Sequence, residues 1–334
     1  MGRVSIGGQA VIEGVMMKNT DKYAIAVRKP DQEIIVDVKD YVPAIQKHKI
    51  LRLPILRGIF NFVESMVIGI KTLTFSADFY EDEEETVKEK KRLEKKKQQV
   101  IEKATKKGLD IEKVTKEFEE KQKKDSDSVM IFCTVAMSLV MAVGLFMLLP
   151  AWIASLVDDM ITNHFVLGLI EGVIRLIIFM TYIWLISRME DIKRTFMYHG
   201  AEHKTINCLE HGNDLTVENV MKASRFHKRC GTSFLFIVML VSILVFMCIK
   251  TDTVLLRLIY RLLLVPVIAG ISYEFIRYAG KSESLIANLL SKPGLLIQRF
   301  TTLEPTPDMV EVAIKSVEGV LDWRKYLEEE RKSK

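Results

Sequence analysis

Residues 1 to 9 lack the apolar run of a signal peptide, and Ser5 to Asn19, which overlaps them, contains neither G-x-G-x-x-G nor a P-loop. The first absence argues against a cleaved leader and the second against a phosphate cradle. Cysteine is scarce: there are four in 334 residues, and Cys133 and Cys248 fall inside apolar runs, where they read as packing residues. Such a set offers no disulfide framework. An uninterrupted basic surface is missing too, because the net charge of +5 comes from bases interleaved with acids or gathered at the borders of apolar runs. That pattern excludes nucleic acid as a partner and suits anionic membrane lipids.

What the chain does have is apolar length. Hydrophobic residues make up 49% and charged residues 27%, too much of both for one ordinary soluble domain, and the two kinds are segregated. Four runs are candidate bilayer spans: Val129 to Val157, Phe165 to Ser187, Phe234 to Ile249 and Val254 to Ile276. A span takes roughly 20 residues, so the third is short. All four are expected to be helices, since backbone groups in lipid have no other partner. The loop between the second and third runs carries Arg188, Lys193, Arg194, Lys204, Lys222, Arg225, Lys228 and Arg229, whereas the outer loops carry only Lys250. The positive-inside rule therefore puts both termini and that central loop on the cytoplasmic side. Cytoplasm is reducing, so Cys208 and Cys230 read as free or metal-binding thiols.

The expected fold class is predominantly α: a polytopic membrane protein with four transmembrane helices, a small cytoplasmic N-terminal β-hairpin region and a cytoplasmic helical hairpin insert. Residues 1–50 hold the glycine-rich segment and the hairpin, whose strands Tyr23 to Arg28 and Glu33 to Val38 flank the turn Lys29-Pro30-Asp31-Gln32. A lone hairpin is marginal in water and needs a third strand or the C-terminal region to pack on. In residues 51–78 the helical rhythm is interrupted by Arg52, Arg57, Glu64 and Lys71, which suggests an interfacial or re-entrant helix. Residues 79–128 run from acids to bases as a charged helical hairpin, either simply solvated or a docking arm for a protein partner through residues 81–125. Residues 129–187 and 234–277 form two transmembrane hairpins around a central loop, 188–233. Within them Glu171 and Arg175, and Arg257 and Arg261, are i and i+4 pairs. Charges at that depth need partners, so a brace between the second and fourth spans is expected. Residues 278–334 end the chain with an amphipathic helix capped by Thr306 and striped by Val310, Ala313, Ile314, Val317 and Leu321.

The central loop carries the chemistry. Between Tyr198 and Phe234 lie His199, His203, His211 and His227, four of the six histidines. His199-Gly200-Ala201-Glu202-His203 is an H-x-x-E-H sequence, in which two imidazoles one helical turn apart can share a metal ion and the glutamate can act as a base. A catalytic zinc, or another divalent ion, takes three protein ligands, and the third could be Glu274, His227 or Cys230. Glu202 is the candidate base or orienting residue, and Glu13 joins it if the glycine-rich segment folds onto the loop. His211 precedes a Gly212-Asn213-Asp214 turn and is expected to be exposed. The competing reading is a set of metal-free, hydrogen-bonded histidines at a membrane border.

With those residues laid out, the blocks SIGGQAVIEGVMM, YHGAEHKTINCLE, HKRCGTSFL, ISYEFIRYAG and TTLEPTPDMVEVAI, in that order, resemble the YqhQ family of bacterial membrane proteins. That family is of unknown function and carries the description of a predicted metal-dependent enzyme. The resemblance implies a bacterial cell-membrane location and a metal held among His199, Glu202, His203, His227 and Cys230. Two functions follow as expectations. One is a metal-dependent hydrolase with its site on the cytoplasmic face, acting on a lipid-linked molecule or a peptide. The other is a non-enzymatic membrane scaffold or regulator that recruits partners through its helical hairpin. Nothing in the sequence sets the oligomeric state.

Overall fold

The computed structural model describes residues 6–80, 133–157, 160–161, 163–249, 254–282 and 284–332. The expected hairpin insert at 79–128 lies almost wholly outside them. The chain forms two compact units, one of residues 1–79 with 153–334 and one of residues 80–152. The described part of the second is helical from Cys133 onward, the start of a helix reaching Ser155 (α2).

The first unit begins with a four-stranded antiparallel meander, β1 (Gly7–Val11), β2 (Gly14–Lys18), β3 (Lys22–Arg28) and β4 (Ile34–Asp40), in that spatial order. The expected hairpin is therefore the second half of a larger sheet. Its first half is the glycine-rich segment, with Val15 opposite Ala26 and Met17 opposite Ala24 on one face, and Met16 opposite Ile25 on the other. Both faces are covered, which is why β2 and β3 read as unbroken apolar runs instead of an alternating pattern. On one side Val15, Met17, Ala24 and Ala26 join Met309, Val310, Ala313 and Val317 of α9 (Pro307–Val320) in the main core. On the other, Val11, Met16, Ile25 and Val27 meet Ile68 of α1 (Leu56–Ala77). Each such side chain contributes about 1.5–3 kcal/mol on leaving water, so the expected amphipathic C-terminal helix is what the sheet folds against. Thr306 occupies the N-cap position with Pro307 in the first turn, but its side chain makes no capping bond.

Among the described residues, four helices are long and apolar enough to cross a membrane: α1, α2, 165–186 within α3 (His164–Ile186), and 256–280 within α7 (Val254–Lys281). The expected third span is α6 (Gly231–Met247), too short to meet the same criterion. Helix α1 was expected to lie along the interface because charges interrupt it. The structure gives two of those charges partners: Arg57 is paired with Glu274 of α7, and Glu64 accepts from Tyr41 Oη at 2.6 Å. The brace also forms. Glu171 of α3 lies 2.7 Å from Arg175 and 2.6 Å from Arg261 of α7, while Arg175 reaches Ser242 of α6 at 3.4 Å.

The polar helix α4 (Glu190–Glu210) lies against β1, β2 and α9, followed by α5 (Val217–Lys222). Helices α8 (Leu285–Thr301) and α10 (Trp323–Lys332) complete the unit. At Gly200 the chain after α8 crosses α4 so closely that a Cβ would fall 1.9 Å from the Leu303 carbonyl oxygen. Leu303 donates its backbone N–H to Phe196 at 2.9 Å in the same crossing. Backbone cannot yield as a flexible side chain does, so Gly200→Ala is expected to cost about 2–3 kcal/mol. Gly7→Ala meets nothing within 4 Å and should be near neutral. Denaturation of both variants in detergent micelles checks the contrast.

Candidate metal centre

From Tyr198 to Leu209 helix α4 is almost wholly buried, including Glu202, His203, Lys204, Thr205 and Asn207. Buried polar groups need hydrogen-bond partners, and here the partners are backbone carbonyls of the chain that wraps over the helix. Lys204 Nζ donates to Met221 and Ala223 at 2.8 and 3.0 Å, and Asn207 Nδ2 to Ser224 and Phe226 at 2.6 and 3.0 Å. Residues 221–226 are thus strapped along α4, and the strap delivers Cys230 to the histidines.

His199, His203 and Cys230 each offer one ligand atom, all within 4.8 Å of one another. The imidazoles meet edge to face with ring centroids 4.4 Å apart. Each has its Nδ1 on a backbone carbonyl, His199 on Thr301 at 2.8 Å and His203 on Arg225 at 2.6 Å. A carbonyl can only accept, so both Nδ1 atoms carry the proton, leaving Nε2 as the free nitrogen of a neutral ring. Metal-binding histidines are oriented in this way. His199 Nε2 lies 3.3 Å from Cys230 Sγ. Cys230 is the N-cap of α6, its sulfur accepting from Thr232 N at 3.4 Å, so the helix dipole also favours a thiolate there.

Electrostatics agree with that picture. Burial by itself would raise the Cys230 thiol, but His199 and His203 outweigh it and hold the group well below the usual thiol value. Burial would likewise lower His199, yet Cys230, Glu202 and the Thr301 carbonyl together raise it to about 9. Cys208 goes the other way, pushed up to about 11 by burial and Asp214. It is an inert core thiol. Glu202 stands beside the three ligands with Oε2 3.8 Å from His199 Nε2. Glu202 is buried, and His199 is its ion-pair partner at a distance too long for a hydrogen bond. A buried carboxylate favours a cation beside it.

The other expected site residues are placed as follows. His227 stacks 5.7 Å from His203, but its Nε2 is 3.2 Å from Glu210 and its Nδ1 accepts from Arg229 N at 3.3 Å, so both ring nitrogens are engaged. Glu274 is paired with Arg57. The glycine-rich segment does fold onto α4, but what it places beside Glu202 is Gly8, where a Cβ would fall 2.7 Å from Glu202 Cγ. Glu13 instead pairs with Arg194 and accepts from Tyr198 Oη at 3.3 Å. His211 returns its Nδ1 to the Asn207 carbonyl at 2.6 Å.

Sequence reasoning missed Gln298, fully buried on α8. It accepts from His227 N at 2.9 Å and donates to His227 O and Ser233 Oγ at 2.8 Å each. It also missed the Thr301 carbonyl that orients His199. The block beginning TTLEP was the available signal, since it starts at Thr301, three positions after Gln298.

A family model described as a protein of unknown function (DUF1385) matches residues 53–323, a range that includes His199, His203 and Cys230. The uncharacterized protein YqhQ of Bacillus subtilis (strain 168) is 34% identical over 334 residues, covering 98% of this chain and 95% of that protein. No solved structure matches the chain.

A titration checks the electrostatics in protein stripped of metal. The raised His199 contributes stability fully below its ordinary value and loses it as pH rises through about 9. The lowered Cys230 contributes fully above the ordinary thiol value and loses it as pH falls through its lowered one. Between those limits thiolate and imidazolium coexist. Ultraviolet thiolate absorbance, wild type minus Cys230→Ser, should therefore be present at about pH 7. A difference that emerges only near about pH 8.5 would mean an unperturbed thiol.

Proposed function

The chain belongs to the DUF1385 family, whose function is not known, and from its own residues we propose that it is a multi-pass membrane metalloprotein with a hydrolytic centre. His199, His203 and Cys230 hold a divalent ion, zinc by the softness of the donor set, and Glu202 is the base. The observation that carries this is the pair of imidazoles with Nδ1 tied to carbonyls, clustered with a thiol that lies 3.3 Å from His199 Nε2 and with a buried carboxylate 3.8 Å from that same nitrogen. Two imidazoles, a thiolate and a carboxylate gathered at one place favour positive charge, a proton on His199 in metal-stripped protein and a divalent ion in its place when one binds.

An ion in such a site supplies Lewis acidity. The residues of the chain do the rest. Thr301 and Arg225 fix the two ring orientations, Glu202 takes up and returns a proton at its carboxylate, and the packing around Gly8 and Gly200 keeps bulk water away. The engagement of His227 by Glu210 and Arg229 favours the hydrolase over the scaffold reading, because three ligands leave a position free and four would close it. Lys and Arg in 188–229 favour a centre on the cytoplasmic side, with both termini there.

Elemental analysis of protein purified without chelators tests the reading. Wild type, His227→Ala and Glu202→Gln should each retain about one equivalent of metal, with His199→Ala and Cys230→Ala falling below about a tenth. Wild type as empty as His199→Ala would dispose of the centre. Equal loss in His227→Ala would point to a closed, structural site.

A further inference from the structure

A cavity of about 600 Å³ opens between β1, β2, α1 and α7. Its size is ordinary for a small-molecule site and several times what an inorganic anion fills. Two cations line it, Lys18 and Arg229, and no carboxylate among the described residues does. Arg229 is already paired with Glu210. Lys18 is not paired. Its ammonium rests 3.9 Å over the Tyr41 ring, and no described residue gives it a hydrogen-bond acceptor or an ion-pair partner. Burial lowers its pKa, with Glu64 acting against that from a distance. A half-buried ammonium with unused donors favours an anion in the space it faces.

The rest of the lining says what kind of anion. Asn61, which donates to Tyr273 Oη at 2.7 Å, Ser65 and Gln9 supply neutral polar groups, while Met16 and Ile68 supply an apolar floor. Asn61, Ser65 and Ile68 lie at i, i+4 and i+7 on α1, one face of a helix long enough to cross a membrane. Its neighbouring positions Phe60, Val63, Met66 and Val67 are exposed and apolar, a surface suited to lipid. One helix thus faces lipid on one side and a cationic cavity on the other. The cavity also borders the metal centre: Gly8 lines it and packs on Glu202, and Arg229 lines it and precedes Cys230.

We propose that this cavity binds the phosphate-bearing headgroup of an anionic membrane amphiphile, with Lys18 as its principal cationic contact. That the bound headgroup is presented to the metal centre rests on the function proposed above; its binding does not.

Native mass spectrometry of the full chain in detergent, titrated with phosphatidylglycerol or phosphatidylcholine, tests this, with metal content measured on the same samples. Phosphatidylglycerol should bind about tenfold tighter than phosphatidylcholine, and Lys18→Gln should remove that preference, as expected for loss of one charge-assisted hydrogen bond. Lys18→Arg should restore it, which separates lost charge from lost fold. Ser65→Trp, which fills the cavity, should block both lipids while leaving metal content unchanged. Equal affinity for the two lipids, or wild-type selectivity in Lys18→Gln, would overturn the proposal. Displacement of phosphatidylglycerol by millimolar inorganic phosphate would overturn the lipid assignment in favour of a free-phosphate site. Selectivity that depends on Lys18 in protein without metal would uphold this proposal while the hydrolase reading fell.

Discussion

A helix that buries glutamate, histidine, lysine, threonine and asparagine within two turns has to find a partner for every one of them. For histidine, lysine and asparagine helix α4 does this by collecting backbone carbonyls, those of 221, 223, 224, 225 and 226 from one direction and that of 301 from another, while Thr205 uses the Ala201 carbonyl of its own helix. These segments are irregular or lie at helix ends, where carbonyls have no intrahelical partner. Each side needs what the other has left over. The strap and the end of α8 are held on α4 by that exchange, and the sheet and α9 by the apolar core beneath it.

The centre follows from the same requirement. Once His199 and His203 spend Nδ1 on carbonyls, Nε2 is the nitrogen left on each ring to carry a second proton or meet an ion, and the strap that supplies one of those carbonyls also supplies Cys230. Glu202 is the exception. Gly8, which has no side chain, packs on it, and its charge partner is His199 at 3.8 Å, so its carboxylate stands beside the candidate ligands.

Much of this was legible in the sequence, and what was not has physical reasons. Helical periodicity and the i, i+4 spacing placed His199 and His203 on one face, and Cys230 was among three candidates for the third ligand. The Glu171 and Arg261 brace was readable because charge at that depth demands a partner. The N-terminal sheet was only half seen, because strands covered on both faces lose the alternation that marks them. In helix α1 Arg57 and Glu64 read as interruptions, and their partners lie in other segments, at Glu274 and Tyr41, beyond the reach of local pattern. The backbone partners of the imidazoles were invisible for the same reason: a carbonyl has no letter in a sequence.

If sulfur and imidazole nitrogen meet at one ion, X-ray absorption at the zinc edge of the purified protein observes it directly. It should show one sulfur at about 2.3 Å with lighter scatterers at about 2.0–2.1 Å, and the sulfur shell should vanish in Cys230→Ser. A first shell of nitrogen and oxygen alone in the wild type, unchanged by Cys230→Ser, would contradict it.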